Sequence, residues 1–125
     1  MTVLVVEDEP LFRSLLAWML TREGYKFVLA DDGAQALAMS RDFGSDFHAV
    51  ITDVCLPRMS GIELAAELRA VRPDLKALFI SGLSMEEIAA MGGDVALSGF
   101  VPKPFNLRQI AAALRALTDR PTGLC

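Results

Sequence analysis

Apolar residues fall into short unbroken runs that alternate with longer stretches of helical period. Thr2 to Val6 is an apolar, β-branched run that ends in Glu7, Asp8 and Glu9, and Pro10 then suits the first turn of a helix. From Leu11 to Arg22 the positions Phe12, Leu15, Leu16 and Met19 recur at helical spacing, and Gly24 fits a helix stop. Tyr25 to Ala30 reads as a second strand. The turn Asp31-Asp32-Gly33 leads into a helix whose period rests on Ala34, Leu37, Ala38 and Phe43 and which Gly44 closes. His48 to Thr52 is a third strand, Pro57 to Gly61 a loop, and Ile62 to Val71 a helix with Leu64, Ala65 and Leu68 inward. Leu75 to Ile80 is a fourth strand, and Ser84 with Glu87 forms a capping box for a short helix ending near Gly92-Gly93. A strand around Gly99 to Val101 and a helix from Leu107 to Leu117, with Ile110, Ala111 and Leu114 on one face, complete the pattern.

Five strands thus alternate with five helices, and the strands are continuously apolar rather than alternating, as strands buried on both faces are. The fold class is α/β, a doubly wound parallel sheet. A chain of 125 residues has room for one such domain, assigned to residues 1–118, with residues 119–125 a short polar tail expected to fray. Sixteen acids against twelve Lys and Arg give a net charge of −4 with no basic cluster, which argues against direct binding of nucleic acid. Two cysteines, Cys55 and Cys125, are too few for a disulfide framework and suit a reducing compartment. The apolar run from Leu15 to Leu20 is far short of a membrane span, and the first residues lack the basic segment of a secretory signal. A cytoplasmic protein is expected, with no membrane partner.

In open α/β sheets ligands bind beyond the carboxyl ends of the strands, so the residues that follow each strand are the candidates for chemistry. Strand one ends in Glu7-Asp8-Glu9, strand two in Asp31-Asp32, strand three in Asp53, strand four in Ser81-Gly82 and strand five in Lys103-Pro104-Phe105. If strands one and three are neighbours, their ends lie about 4.8 Å apart and Asp8 and Asp53 can share a ligand. Two carboxylates at ~4 Å repel by roughly 4 kcal/mol at an effective dielectric of 20, so the cluster calls for a proton, a lysine or a divalent cation. Oxygen ligands without a His or Cys cluster suit Mg²⁺ better than zinc. With Lys103 as a mobile positive charge and Ser81 as a small hydroxyl, the set makes a pocket for a phosphoryl group.

Four segments together, Val5-Val6-Glu7-Asp8-Glu9-Pro10, Ile51 through Gly61 around Asp53, Ile80-Ser81-Gly82 and Gly99-Phe100-Val101-Pro102-Lys103-Pro104-Phe105, resemble the receiver domain of two-component response regulators. The resemblance runs from about Thr2 to Leu117. It implies a flavodoxin-like sheet of order 2-1-3-4-5 and a phosphorelay, in which Asp53 accepts a phosphoryl group from a phosphohistidine of a sensor histidine kinase or a histidine phosphotransfer protein. It implies further that Asp8, Asp53 and the backbone carbonyl of Cys55 hold Mg²⁺, that Glu7 acts through water, and that Lys103 grips a phosphoryl oxygen. Ser81 and Phe100 are the implied switch residues, remodelling the face of helix four, strand five and helix five for a downstream protein target or a second copy. Lys103-Pro104 is a candidate cis peptide. Receivers often dock phosphodonor helices near helix one and the strand-five loop, which makes Leu11, Phe12, Leu15, Pro104 and Phe105 candidate contacts, although core packing is the better reading of Phe12 and Leu15. Trp18 extends the apolar stripe of Leu11 and Leu15 and is expected to be partly buried, with a contact surface as the alternative.

Departures from the family pattern refine these expectations. Cys55 and Leu83 stand where polar residues are common, and neither orients an attacking water well, so self-dephosphorylation is expected to be slow. Phe100 lacks the hydroxyl of the commoner Tyr. Each residue also has a plainer reading: Glu7 to Glu9 as helix-capping acids, Asp53 and Lys103 as ordinary loop charges, Ser81 as a turn residue, and His48 as a hydrogen-bonded structural histidine. A haloacid-dehalogenase-like phosphatase would place a second acid where Cys55 stands, and a nucleotide-binding module would place a glycine-rich cradle where the three acids stand. A receiver excised from a hybrid histidine kinase or a longer regulator, and a degenerate receiver that only binds protein, remain the alternatives within the family. No turnover enzyme is expected.

Overall fold

Alternate residues of the central strands serve two different cores, and this period of two organises the molecule. The computed structural model describes residues 2–42, 47–81, 85–90, 98–102 and 106–118, without the side chains of residues 42, 81, 85, 88, 89, 98, 100 and 102. In chain order the elements are β1 (Thr2–Val6), α1 (Pro10–Arg22), β2 (Lys26–Ala30), α2 (Gly33–Asp42), β3 (Phe47–Asp53), α3 (Gly61–Val71), β4 (Lys76–Ser81), α4 (Met85–Ala90), β5 (Ser98–Pro102) and α5 (Leu107–Thr118). The strands form one parallel sheet in the order β2-β1-β3-β4-β5. Val3 and Val5 of β1 join Ala49 and Ile51 of β3 beneath Leu16, Met19 and Leu20 of α1 and Ile110, Leu114 and Leu117 of α5. Leu4 and Val6, with Val50 and Phe79, pack on the other face against Ala36 of α2 and Ile62, Leu64, Ala65 and Leu68 of α3. Both faces being covered explains why the strand sequences do not alternate.

The expected inward residues of α3 and α5 are buried, but two helices sit differently from their hydrophobic pattern. In α2 it is Gly33, Ala36 and Ser40 that are buried, whereas Ala34 and Ala38 are exposed. Alanine is a weak marker of direction. Gly33 lies close against the Met59 side chain, which occupies the space a Cβ would take. In α1 the buried residues are Leu16, Met19 and Leu20, so Leu15 is 41% exposed and does not belong to the core as expected. Leu11 and Trp18 are exposed with it, at 69% and 56%, and the Arg22 guanidinium lies 5.4 Å from the Trp18 ring centroid. Phe12 packs partly against the core.

Local chemistry explains the boundaries. Gly24 takes φ 83° and ends α1, where the Tyr25 N–H returns to the Leu20 carbonyl at 2.9 Å, so β2 starts at Lys26 rather than at Tyr25. The register between β1 and β3 slips after Thr2, which pairs with Phe47 while Val3 pairs with Ala49. His48, left without a partner in that ladder, accepts the Thr2 N–H on Nδ1 at 3.2 Å, a structural role at the end of the sheet remote from the acids. Phe43, Gly44, Ser84 and the Gly92-Gly93 pair lie outside the described residues. Among the described residues no helix is long and apolar enough to cross a membrane.

Gly61 is fixed by the backbone that α3 abuts. A Cβ there would fall 2.1 Å from the Asp53 carbonyl oxygen, and the Gly61 N–H donates to the Val54 carbonyl at 2.7 Å. Gly61→Ala therefore forces the start of α3 away from the end of β3, and we expect a loss of about 1–3 kcal/mol in stability, measured by urea denaturation.

Candidate functional site

The carboxyl edge of the sheet gathers the residues that follow its central strands. Val6 pairs with Thr52 and Asp53 with Ile80, so the acids beyond β1 emerge level with the end of β3. Asp53 is the last residue of β3 and half-buried, and one of its carboxylate oxygens accepts the Cys55 N–H at 3.2 Å. Cys55 itself is exposed and makes an antiparallel bridge with Ser60, which folds the chain from Asp53 to Gly61 back on itself. Ser60 then caps α3 by accepting the Glu63 N–H at 3.0 Å. Arg58, at φ 72°, makes the left-handed turn within this loop.

The three acids after β1 do different work. Glu9 is the N-cap of α1, accepting the Phe12 N–H at 2.7 Å, so the helix-capping reading holds for this residue. Asp8 is exposed toward the cleft, and Glu7 is buried, with 6% of its surface accessible. The Glu7 carboxylate accepts the Glu9 N–H at 3.0 Å. Burial nevertheless pushes the Glu7 carboxyl up to about 7; its hydrogen bond from Glu9 opposes the rise, while Asp8, by hydrogen bond and by charge, and the Asp53 charge add to it. The upward shift is thus mainly a cost of burial, to which the repulsion anticipated for clustered carboxylates adds a smaller part.

Asp8 lines a cleft of about 610 Å³ together with Arg13, Asp31, Asp32 and Arg58. Asp32 caps α2 by accepting the Gln35 N–H at 2.7 Å, and Asp31 pairs with Arg13 at 3.1 Å. Arg13 was not singled out by sequence reasoning, although a signal was there. A cation in the first turns of a helix opposes the helix dipole and therefore needs anionic partners.

Among the described residues no group of three or more His, Cys, Asp or Glu side chains is placed to hold a metal ion by itself. The donor set expected at this edge asks for less: two carboxylates, Asp8 and Asp53, and one backbone carbonyl, with Glu7 behind water. Oxygen donors alone, short of positive charge and open to solvent at Asp8, fit a hard, partly hydrated divalent cation. Ser81 ends β4 beside Pro102 of β5, and Phe100 pairs in register with Phe79. Lys103, Pro104, Phe105 and Leu83, and with them the candidate cis peptide and half of the expected phosphoryl pocket, lie outside the described residues.

Residues 3–115 match the family model of the response regulator receiver domain. The chain is 36% identical over 119 residues to the sensor kinase CckA of Brucella abortus, covering 95% of this chain and 13% of that protein. It is 40% identical over 120 residues to the transcriptional regulatory protein TcrA of Mycobacterium tuberculosis, covering 94% of this chain and 46% of that one. The chain therefore spans half or less of each of these relatives. Among solved structures it is similar to the response regulator protein TrrA of Thermotoga maritima in complex with Mg²⁺ and BeF, with a TM-score of 0.73, 30% identity, and coverage of 93% of this chain and 97% of that one.

The elevated Glu7 carboxyl has a consequence for stability. An acid at about 7 when folded but at the ordinary 4.5 when unfolded is protonated only in the folded state between those values, so the metal-free protein loses stability as pH rises from 4.5 through 7. Glu7→Gln removes that loss. In thermal melts with chelator, the variant should match the native protein near pH 4 and melt at a higher temperature above pH 7.

Proposed function

The chain belongs to the family of response regulator receiver domains of two-component systems, and from that premise we propose that Asp53 is its phosphoacceptor, with Mg²⁺ as cofactor and a phosphohistidine as donor. The observation that supports this reading best is the setting of Asp53: a half-buried carboxylate at the end of a central strand, one oxygen oriented by the Cys55 N–H, within electrostatic range of Glu7. Its free oxygen attacks phosphorus, the P–N bond of the donor breaks as the P–O bond of an acyl phosphate forms, and the imidazole leaves with the electron pair. Asp8, Asp53 and the Cys55 carbonyl would hold the Mg²⁺, with Glu7 reaching it through water, and the ion would neutralise charge that develops on the phosphoryl oxygens. Lys103 pairs with a phosphoryl oxygen, and Ser81 and Phe100 respond to it. Each chain takes one phosphoryl group, as a switch and not as a turnover enzyme.

The donor is a sensor histidine kinase or a histidine phosphotransfer protein of the cytoplasm. Its helices dock on α1, where Leu11 and Leu15 are exposed rather than committed to the core, and extend toward Pro104 and Phe105. The output is read by a protein target or a second copy at the α4-β5-α5 face. The domain comprises residues 1–118, and the same domain serves whether it acts alone or within a longer kinase or regulator.

The decisive test is intact mass after incubation with acetyl phosphate. One phosphoryl group should be added with Mg²⁺, and none with chelator or in Asp53→Asn; addition to Asp53→Asn at the native level would refute the assignment. Because Cys55 and Leu83 offer no polar group to position water, the phosphorylated form should persist for minutes or longer. Decay within seconds on a mass time course would contradict this.

A further inference from the structure

We infer that Arg13 is a positioning residue for the cation site, holding the peptide between Glu7 and Asp8 so that Asp8 faces Asp53. The inference rests on the metal-binding reading of Asp8 given above, and what carries it is the way Glu7 is held. The Glu7 N–H donates to the Ala30 carbonyl at 3.1 Å, continuing the ladder one residue past β1. The Glu7 carboxylate is tied to the Glu9 N–H. The Glu7 carbonyl accepts Nη1 of Arg13 at 2.9 Å, and the same nitrogen reaches Asp31 at 3.1 Å, just beyond the end of β2. That carbonyl belongs to the peptide whose nitrogen is Asp8's own. Turning it would rotate the Asp8 backbone and carry its carboxylate off the edge of the sheet.

Arg13 has little local reason to be where it is. It lies in the fourth position of α1, where the helix dipole disfavours a cation. Its guanidinium bridges two strand-end segments, the one after β1 that carries Glu7 and Asp8 and the one after β2 that begins at Asp31. Its side chain is mostly shielded, at 21% exposure, while Asp31 is 67% exposed, so the bond to the carbonyl is the more sheltered of the two.

Geometry and charge make opposite predictions, which gives the test its sign. A cation near the site repels Mg²⁺, so if Arg13 acted through charge alone its removal would tighten binding. If it positions Asp8, its removal weakens binding, by about ten-fold, the lower end of what lost support behind metal ligands costs. Mg²⁺ would be titrated calorimetrically into the full chain, comparing the native protein with Arg13→Met, Arg13→Lys, Asp31→Ala and Asp8→Asn, with melting temperatures taken in chelator. We expect weaker binding in Arg13→Met, partial recovery in Arg13→Lys, which keeps one donor, and a smaller loss in Asp31→Ala, which frees one end of the bridge. Native or tighter affinity in Arg13→Met overturns the inference. If Arg13→Met does not fold, Arg13→Lys and Asp31→Ala decide it, native affinity in both overturning it. Mg²⁺ binding that is absent from the native protein, or unaffected by Asp8→Asn, removes the site reading itself and the inference with it, an outcome distinguishable from the failure of Arg13 alone.

Discussion

The parallel ladder between β1 and β3 is the constraint on which the rest of the molecule depends. It joins two largely buried strands of the sheet interior, and its alternating side chains divide the interior into a core under α1 and α5 and a core under α2 and α3. Because the pairing is parallel, both strands also end on the same edge. A slip of one residue would exchange the two cores and displace Asp53 relative to Glu7 and Asp8. The one irregularity in this ladder falls at Thr2, at the opposite end, where His48 takes up the stray N–H. The packing that fixes the fold therefore also fixes the site.

What the ladder brings together, electrostatics pushes apart. Glu7 sits at a position where the chain has left the strand but not the interior, and its carboxyl responds by holding its proton toward neutrality. The surroundings are built to tolerate the strain without removing it. Glu9 turns its charge to the α1 cap, Asp32 turns its own to α2, and Asp31 is neutralised by Arg13. Among the described residues no ion pair reaches Glu7, Asp8 or Asp53, which leaves the carboxylates of the β1 and β3 ends short of positive charge and receptive to a cation.

Most of this architecture is legible in the sequence because it depends on strong, local signals. Unbroken apolar runs mark the buried strands, glycine and proline mark their limits, and the acids at the strand ends mark the site. The order of the strands is not a property of periodicity and came from the resemblance of the four motifs to receivers. Signals that depend on contact between distant segments were weaker. The close approach of Gly33 to the Met59 side chain, and the need for glycine at position 61 that follows from the Asp53 carbonyl, are not visible before the chain is folded. Leu15 stands at helical spacing and so reads as core, whereas the buried arc of α1 is filled by Leu16, Met19 and Leu20. The partners of Arg13 are equally hidden, because they are a backbone carbonyl and an acid just beyond the end of β2.

Helix α1 joins these residues in one element. Its inner face packs into the core through Leu16, Met19 and Leu20, its N-terminal turn holds the Glu7 carbonyl through Arg13, and its outer face carries the exposed stripe of Leu11, Leu15 and Trp18. A helix anchored by three buried side chains moves as a unit, because close-packed interiors resist local deformation. A partner that settles on the outer stripe is therefore placed against the same rigid element that holds the peptide of Asp8. Position along the helix translates into position relative to Asp53, and on the phosphoacceptor reading proposed above an incoming phosphohistidine would need that alignment before any bond is made or broken.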